Sequence, residues 1–297
     1  MDYLQFDRNA WDRQFKNELA QGLPNSINGV SAAEIRTIYR PLADFLSLFM
    51  AKTKIRREAL QAFLDEKAPS KPFVIGVAGS VASGKSTTAS LLSACLHDRN
   101  EAPRTAILST DQFLFPNRVL EKRGLLDKKG FPETYDYDKL HQVLLQFKSG
   151  GEAVRVPIYS HIIYDIVEDK TETITRPDIL IVEGINVLQV DTGAVPLSDH
   201  MDITIYVDAD ERDLFQWFWT RIQAFIETAD ENPDSYFQPF KKMDHDTLLS
   251  LGKQIWRDIN GKNLKEHILP SRERADIILR KSDDYAIQTI FIKKDLL

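Results

Sequence analysis

At 297 residues the chain can bury one large core or two modest ones, and its formal net charge of −6 argues against a mainly electrostatic partnership with nucleic acid or an anionic membrane, a local basic site aside, which makes small-molecule chemistry the starting point. A single cysteine, Cys95, rules out an intramolecular disulfide and points to a reducing compartment, and the six scattered histidines outline no metal cage. The start "MDYLQFDRNAW" lacks the basic-then-apolar order of a signal peptide, and no apolar run approaches the roughly 20 residues that cross a bilayer, so the expected location is the cytoplasm.

Taken in chain order, residues 31 to 67 read as helical. Ser31 and Glu34 stand in capping-box spacing, and apolar positions after Pro41 recur at three and four residues. The two prolines of "DEKAPSKP" end that layer, which divides the chain into an N-terminal helical extension, 1–70, packed on a main domain, 71–297. Four apolar runs follow, "FVIGVA", "TAILST", "DILIVEG" and "DITIYVDA", separated by segments long enough for helices. Such alternation predicts an α/β fold, a mostly parallel sheet flanked by helices, with "ADIILRK" and "TIFIKK" as candidate further strands. Ligands of such sheets gather beyond the carboxyl ends of the strands. Those ends carry a glycine-rich loop, Asp111, Glu183 and Asp208, so three carboxylates are expected to converge near one site. Cys95, within "LLSACL", reads as a buried small hydrophobe.

The loop is "GSVASGKST", Gly79, Ser80, Val81, Ala82, Ser83, Gly84, Lys85, Ser86 and Thr87, which fits G-x-x-x-x-G-K-[ST] with an apolar strand before it and a helix after it. Glycines let backbone N–H groups turn onto phosphates, and the positive end of the helix adds to the attraction. Lys85 is expected to reach the β- and γ-phosphates of ATP and Ser86 to ligate Mg2+. Glu183 ends its strand as a second magnesium-site carboxylate or as a helix cap. Asp111, in "STDQF", is either a turn cap or the group that positions an acceptor hydroxyl. A phosphate loop alone does not separate a transferase from a hydrolase or a switch.

Further strings narrow the choice: "YLQFDR", "GSVASGKSTTA", "RGLLDKKGFPETYD", "VPIYSHIIYDI", "PDILIVEGINVLQ", "NPDSYF" and "NLKEHILPSRERADIIL". In this order, from residue 3 to about 280, they resemble the prokaryotic type I pantothenate kinases, relatives of uridine kinase and phosphoribulokinase. The resemblance implies a P-loop kinase fold, a homodimer, and ATP-dependent phosphorylation of the terminal hydroxyl of pantothenate, the first step toward coenzyme A. The rivals are a sister kinase acting on a nucleoside or sugar phosphate and a non-catalytic ATP-dependent switch.

By the same resemblance Asp111 becomes the catalytic base, and Arg221 the cation that closes over the transferring phosphoryl group. Tyr159, His161, Tyr164, Tyr236 and Asn263 become donors and walls of the pantothenate pocket, with Phe225 and Phe237 its apolar lining. Three departures stand out. Ser90 replaces an arginine associated with feedback inhibition by coenzyme A, Phe218 replaces a common tyrosine, and Gln112 replaces a frequent glycine, where it is expected to crowd the pocket mouth.

Overall fold

Strand β4 (Phe73–Gly79) is buried at every position, as a continuous apolar run between two helical layers must be. In the computed structural model, which describes residues 3–14, 26–27, 29–67, 69–98, 102–190 and 195–296, β4 lies inside a seven-stranded sheet. The other members are β1 (Tyr3–Asp7), β5 (Thr105–Ser109), β8 (Ile179–Glu183), β9 (Ile203–Asp208), β10 (Ile277–Lys281) and β11 (Ile287–Lys293), in the order β1-β11-β10-β9-β4-β8-β5. From β10 to β5 all neighbours are parallel. The hairpin partner β11 and the N-terminal β1 add antiparallel strands at one side. Two small ribbons lie apart: β2 (Ser26–Ile27) with β3 (Val30–Ser31), and β6 (Ala153–Ser160) with β7 (Asp165–Thr175).

Side-chain alternation splits the core in two. Ile75, Val77, Ile181 and Ile205 face one way, against Leu91 and Leu92 of the Lys85–His97 helix and Tyr39, Leu42 and Leu46 of the N-terminal segment. Val74, Ala78, Val182 and Tyr206 face the other way, against Leu140 and Leu144 of the Tyr137–Lys148 helix and Leu214 and Phe218 of the Glu211–Glu227 helix. Cys95 is buried among the first set.

The N-terminal helix departs from its expected start. Ser31 Oγ accepts from the Glu34 amide at 3.2 Å, but the Glu34 carboxylate does not return to the cap. It accepts instead from the Ile287 amide at 3.0 Å, tying this segment to β11. A widened turn, Ile35–Tyr39, then leads into the Arg40–Leu64 helix, with Pro41 in its first turn where a missing N–H costs nothing. No helix among the described residues is long and apolar enough to cross a membrane.

Candidate active site

Where β4 ends, Gly79 takes φ +142°, and a Cβ there would stand 2.5 Å from the Val207 carbonyl of β9. Gly84 takes φ +92° and Ala82 φ +64°, so the turn folds its amides into a concavity at the start of the Lys85–His97 helix, the shape that binds phosphate. Ser80 Oγ and Ser83 Oγ are buried there without a hydrogen-bond partner. Lys85 is buried, and its Nζ donates to the Ser80 carbonyl at 2.8 Å. Burial lowers the pKa of this amine, while the carboxylates of Glu183 and Asp111 oppose the shift.

Ser86 Oγ donates to Glu183 Oε1 at 3.2 Å. Glu183 ends β8, and its burial raises the carboxyl pKa against the pull of Lys85. A hydroxyl and a carboxylate beside a phosphate cradle are the hard oxygen donors that Mg2+ takes together with phosphate oxygens and water. The residues therefore fit that ion.

Asp111 lies in the tight turn Thr110–Phe113 directly after β5, capped by Ser109. Gly184, next to Glu183, permits the approach of this turn, because a Cβ at that point would overlap Thr110 Oγ1. Asp111 and Glu183 thus stand at the ends of adjacent strands. Tyr135 donates its hydroxyl to Asp111 Oδ1 at 3.3 Å. The expectation for Gln112 is corrected. Its side chain is buried, accepts from the Ser109 amide and donates to the Pro157 carbonyl at 2.8 Å, so it braces β5 against β6 and does not crowd a pocket mouth.

The β6–β7 hairpin brings its tip, residues 161–164, within reach of the Asp111 charge. The Tyr159 and His161 rings meet edge to face at 5.1 Å, and Tyr164, at φ +54°, stacks on Tyr236 at 5.2 Å. The Tyr236 amide donates to the Ile162 carbonyl at 2.9 Å, locking tip to loop. Burial lowers the His161 pKa, which favours the neutral ring, and the negative charge of Asp111 acts against that shift. Burial likewise raises Tyr159 and keeps it a hydroxyl donor.

Beyond these groups opens a cavity of about 330 Å3 whose walls include Tyr164, Phe218, Ile222, Tyr236, Phe237 and Ile255. Phe225 stands behind this wall, stacked on Phe237 at 5.2 Å, and is not itself a lining residue. Asn263 is buried. Its Nδ2 donates to the Gly130 carbonyl at 2.8 Å, and its Oδ1 has no partner. Arg221 is exposed on the Glu211–Glu227 helix, and its charge reaches Lys85, Tyr159, His161 and Tyr164.

Asp208 stands near the phosphate loop but with its carboxylate already paired. Arg272 Nε at 2.9 Å and Arg280 at 3.0 Å hold its carboxylate beside a cavity of about 400 Å3 that reaches Ser80 of the phosphate loop. Two residues go beyond the sequence expectations. Tyr135 is one. Lys129 is the other, with its Nζ 4.8 Å from the Tyr164 ring centre and 5.3 Å from that of Tyr159. Both lie in "KKGFPETYD", a string that marks the family without indicating which lysine turns inward.

Residues 74–223, half of the chain, match the phosphoribulokinase/uridine kinase family. A pantothenate kinase of Yersinia enterocolitica is 42% identical over 98% of this chain and 96% of its own length. One from Serratia proteamaculans is 41% identical over the same shares. Among solved structures, D-glycerate 3-kinase from Cryptococcus neoformans superposes with TM-score 0.59 at 14% identity, covering 83% of this chain and 97% of that one. A putative fructose transport system kinase from Silicibacter gives 0.54 at 21% identity, over 72% and 92% of the two chains. At such identities these two show the fold alone.

Proposed function

The chain belongs to the pantothenate kinases, within the phosphoribulokinase/uridine kinase family, and from that premise we propose that it transfers the γ-phosphoryl group of ATP to the terminal hydroxyl of pantothenate in the cytoplasm. The placement of Asp111 carries this reading. Its turn follows the strand end beside Glu183, its carboxylate accepts from Tyr135, and its charge reaches Lys85 of the loop and Tyr159 and His161 of the hairpin, which supports a role between a donor phosphate and an acceptor. A switch that only holds nucleotide has no use for such a pocket.

In this mechanism the loop amides and Lys85 hold the β- and γ-phosphates. Asp111 accepts the hydroxyl proton as the substrate oxygen bonds to the γ-phosphorus. The bond from that phosphorus to the β-bridging oxygen breaks, and ADP leaves. Arg221 and Lys129 offset charge on the transferring oxygens. Ser86 and Glu183 would hold Mg2+, which when bound would supply electrostatic neutralisation of the phosphates. Tyr159 and His161 donate to the polar groups of pantothenate and the unpartnered Asn263 Oδ1 accepts from them, while Tyr164, Tyr236, Phe237 and the adjoining apolar wall receive its methyl groups.

Asp111→Asn preserves shape and removes the proton acceptor. Turnover with pantothenate should fall by roughly a hundredfold or more, with ATP affinity unchanged by calorimetry. A collapse of ATP affinity with turnover intact would make Asp111 a metal ligand and move the base elsewhere. Wild-type ADP release that a nucleoside or sugar phosphate stimulates, and pantothenate does not, would overturn the acceptor.

Two further readings belong with this one. The enzyme acts as a homodimer, with residues 1–70 an extension of the kinase unit whose β1 and helices share its sheet and core. Coenzyme A is its inhibitor, weakened by the neutral Ser90.

A further inference from the structure

We propose that Asn117 is a positioning residue for phosphoryl transfer: its side-chain amide fixes the Lys129 ammonium and binds it to the tip of the β6–β7 hairpin, so that Lys129 and Asp111 meet the acceptor hydroxyl as one preset pair. This rests on the kinase reading above, and it concerns a residue with no assigned part in that reading.

Three pieces of chain that are remote in sequence join at this one amide. Asn117 Oδ1 accepts from Lys129 Nζ at 2.6 Å. Its Nδ2 donates to the Tyr164 carbonyl at 3.2 Å, and its backbone amide donates to Asp165 Oδ1 at 2.9 Å. Lys129 Nζ donates to the Tyr164 carbonyl as well. Tyr164 has a positive φ of 54°, a conformation a tyrosine keeps only when its surroundings impose it. The two bonds to its carbonyl supply that restraint, and the same residue presents its ring to the cavity. Asn117 therefore sets both the tip geometry and the position of the cation.

The donor count explains why an amide oxygen suits this position. An ammonium has three N–H groups. Asn117 and Tyr164 take two of them, and no acceptor for the third is found among the described residues. That last proton is available to a ligand oxygen. A neutral amine facing the same two acceptors has none left over. Burial pushes Lys129 down to about 8, while Asp165 at the start of β7 and Asp111 after β5 resist the fall. Tyr159, His161 and Tyr164 of the hairpin also face it, and Asp127 lies on its own loop at the cavity wall. Asn117 holds the amine without adding a charge, which would retain the ammonium against its partners.

The test is the pH profile of kcat/KM for pantothenate at saturating MgATP. In the wild type an alkaline limb near pH 8 is expected, and Lys129→Arg should remove it from the accessible range. Asn117→Asp keeps the shape and places a carboxylate against the amine, so the limb should move up by about one unit or more. Asn117→Ala should raise KM for pantothenate and lower kcat about tenfold or more, with ATP affinity unchanged. A limb that does not move in Asn117→Asp overturns the proposal. So does Asn117→Ala with wild-type kcat and KM, or a loss of ATP affinity and thermal stability together, which would mark a merely structural residue. Should Asn117→Asp not fold, Asn117→Ser must show the KM and kcat changes at unchanged ATP affinity, and failure to do so counts equally against it. A wild type that pantothenate does not stimulate would sink the kinase reading instead, a result separable from any of these.

Discussion

Gly184 shows how one missing methyl group assembles the site. Its backbone is ordinary, and what demands glycine is Thr110, whose side chain occupies the space a Cβ would need. That contact draws the Asp111 turn onto the end of β8, beside Glu183. Gly184→Ala must push the two apart, and because Thr110 is fully buried the strain has few outlets. Overpacking of this kind costs about 1–3 kcal/mol, and a misplacement near 1 Å costs on the order of a hundredfold in rate. Turnover should therefore fall by tenfold to a hundredfold with a modest drop in thermal midpoint, while ATP affinity changes little. Wild-type turnover in a fully folded Gly184→Ala would mean the turn tolerates the shift and Asp111 needs no such exact placement.

At the scale of elements, legibility followed locality. The phosphate loop declares itself because strand, glycines, lysine and hydroxyl are contiguous, and the buried parallel strands because a strand covered on both faces is a continuous apolar run. The hairpin tip and Lys129 are different: their meaning comes from what they meet across more than thirty residues, and no local pattern encodes that. Glu34 is the instructive miss, since its spacing suits a cap while a distant β11 amide claims its carboxylate. The arginine pairing of Asp208 was hidden for the same reason, since Arg272 and Arg280 lie far from this strand end in sequence. Within the Lys85–His97 helix, Ser90 lies just over one turn from Lys85 and is partly exposed, so a longer cationic side chain there has room to reach an anion at the loop. One charge-assisted bond contributes about 1.5–3 kcal/mol, or roughly ten- to a hundredfold in affinity. Ser90→Arg should tighten inhibition by coenzyme A to that extent at fixed ATP and leave kcat unchanged. Equal inhibition of the two proteins would remove Ser90 from the account of feedback.

For the whole molecule, the decisive feature is the 25-residue Arg40–Leu64 helix. Its first turns are buried in the core through Leu42, Ala43 and Leu46. Its later turns expose Leu48, Ile55, Leu60 and Leu64, with Phe63 85% exposed. A helix that has already spent one face on the core gains nothing from leaving these side chains in water, and each one buried contributes about 1.5–3 kcal/mol. A second copy of the same helix, related by a twofold axis, would cover them self-complementarily. On this basis we propose that the homodimer read above is built along this helix. Its later turns lie near the start of β4, where Arg57 donates to the Lys71 carbonyl at 2.9 Å, whereas the phosphate loop begins at the other end of that strand. The double substitution Ile55→Asp with Phe63→Asp sets four carboxylates into that contact, counting both protomers. Light scattering at micromolar concentration should then report a monomer where the wild type reports a dimer, with kcat per site kept within about twofold, since Lys85, Asp111, Glu183 and the pocket residues described above are brought together within one chain. A wild type that is monomeric, or a double variant that stays dimeric, would show that these apolar turns are not the interface. Loss of turnover in a folded monomer would show that the site itself depends on the second subunit.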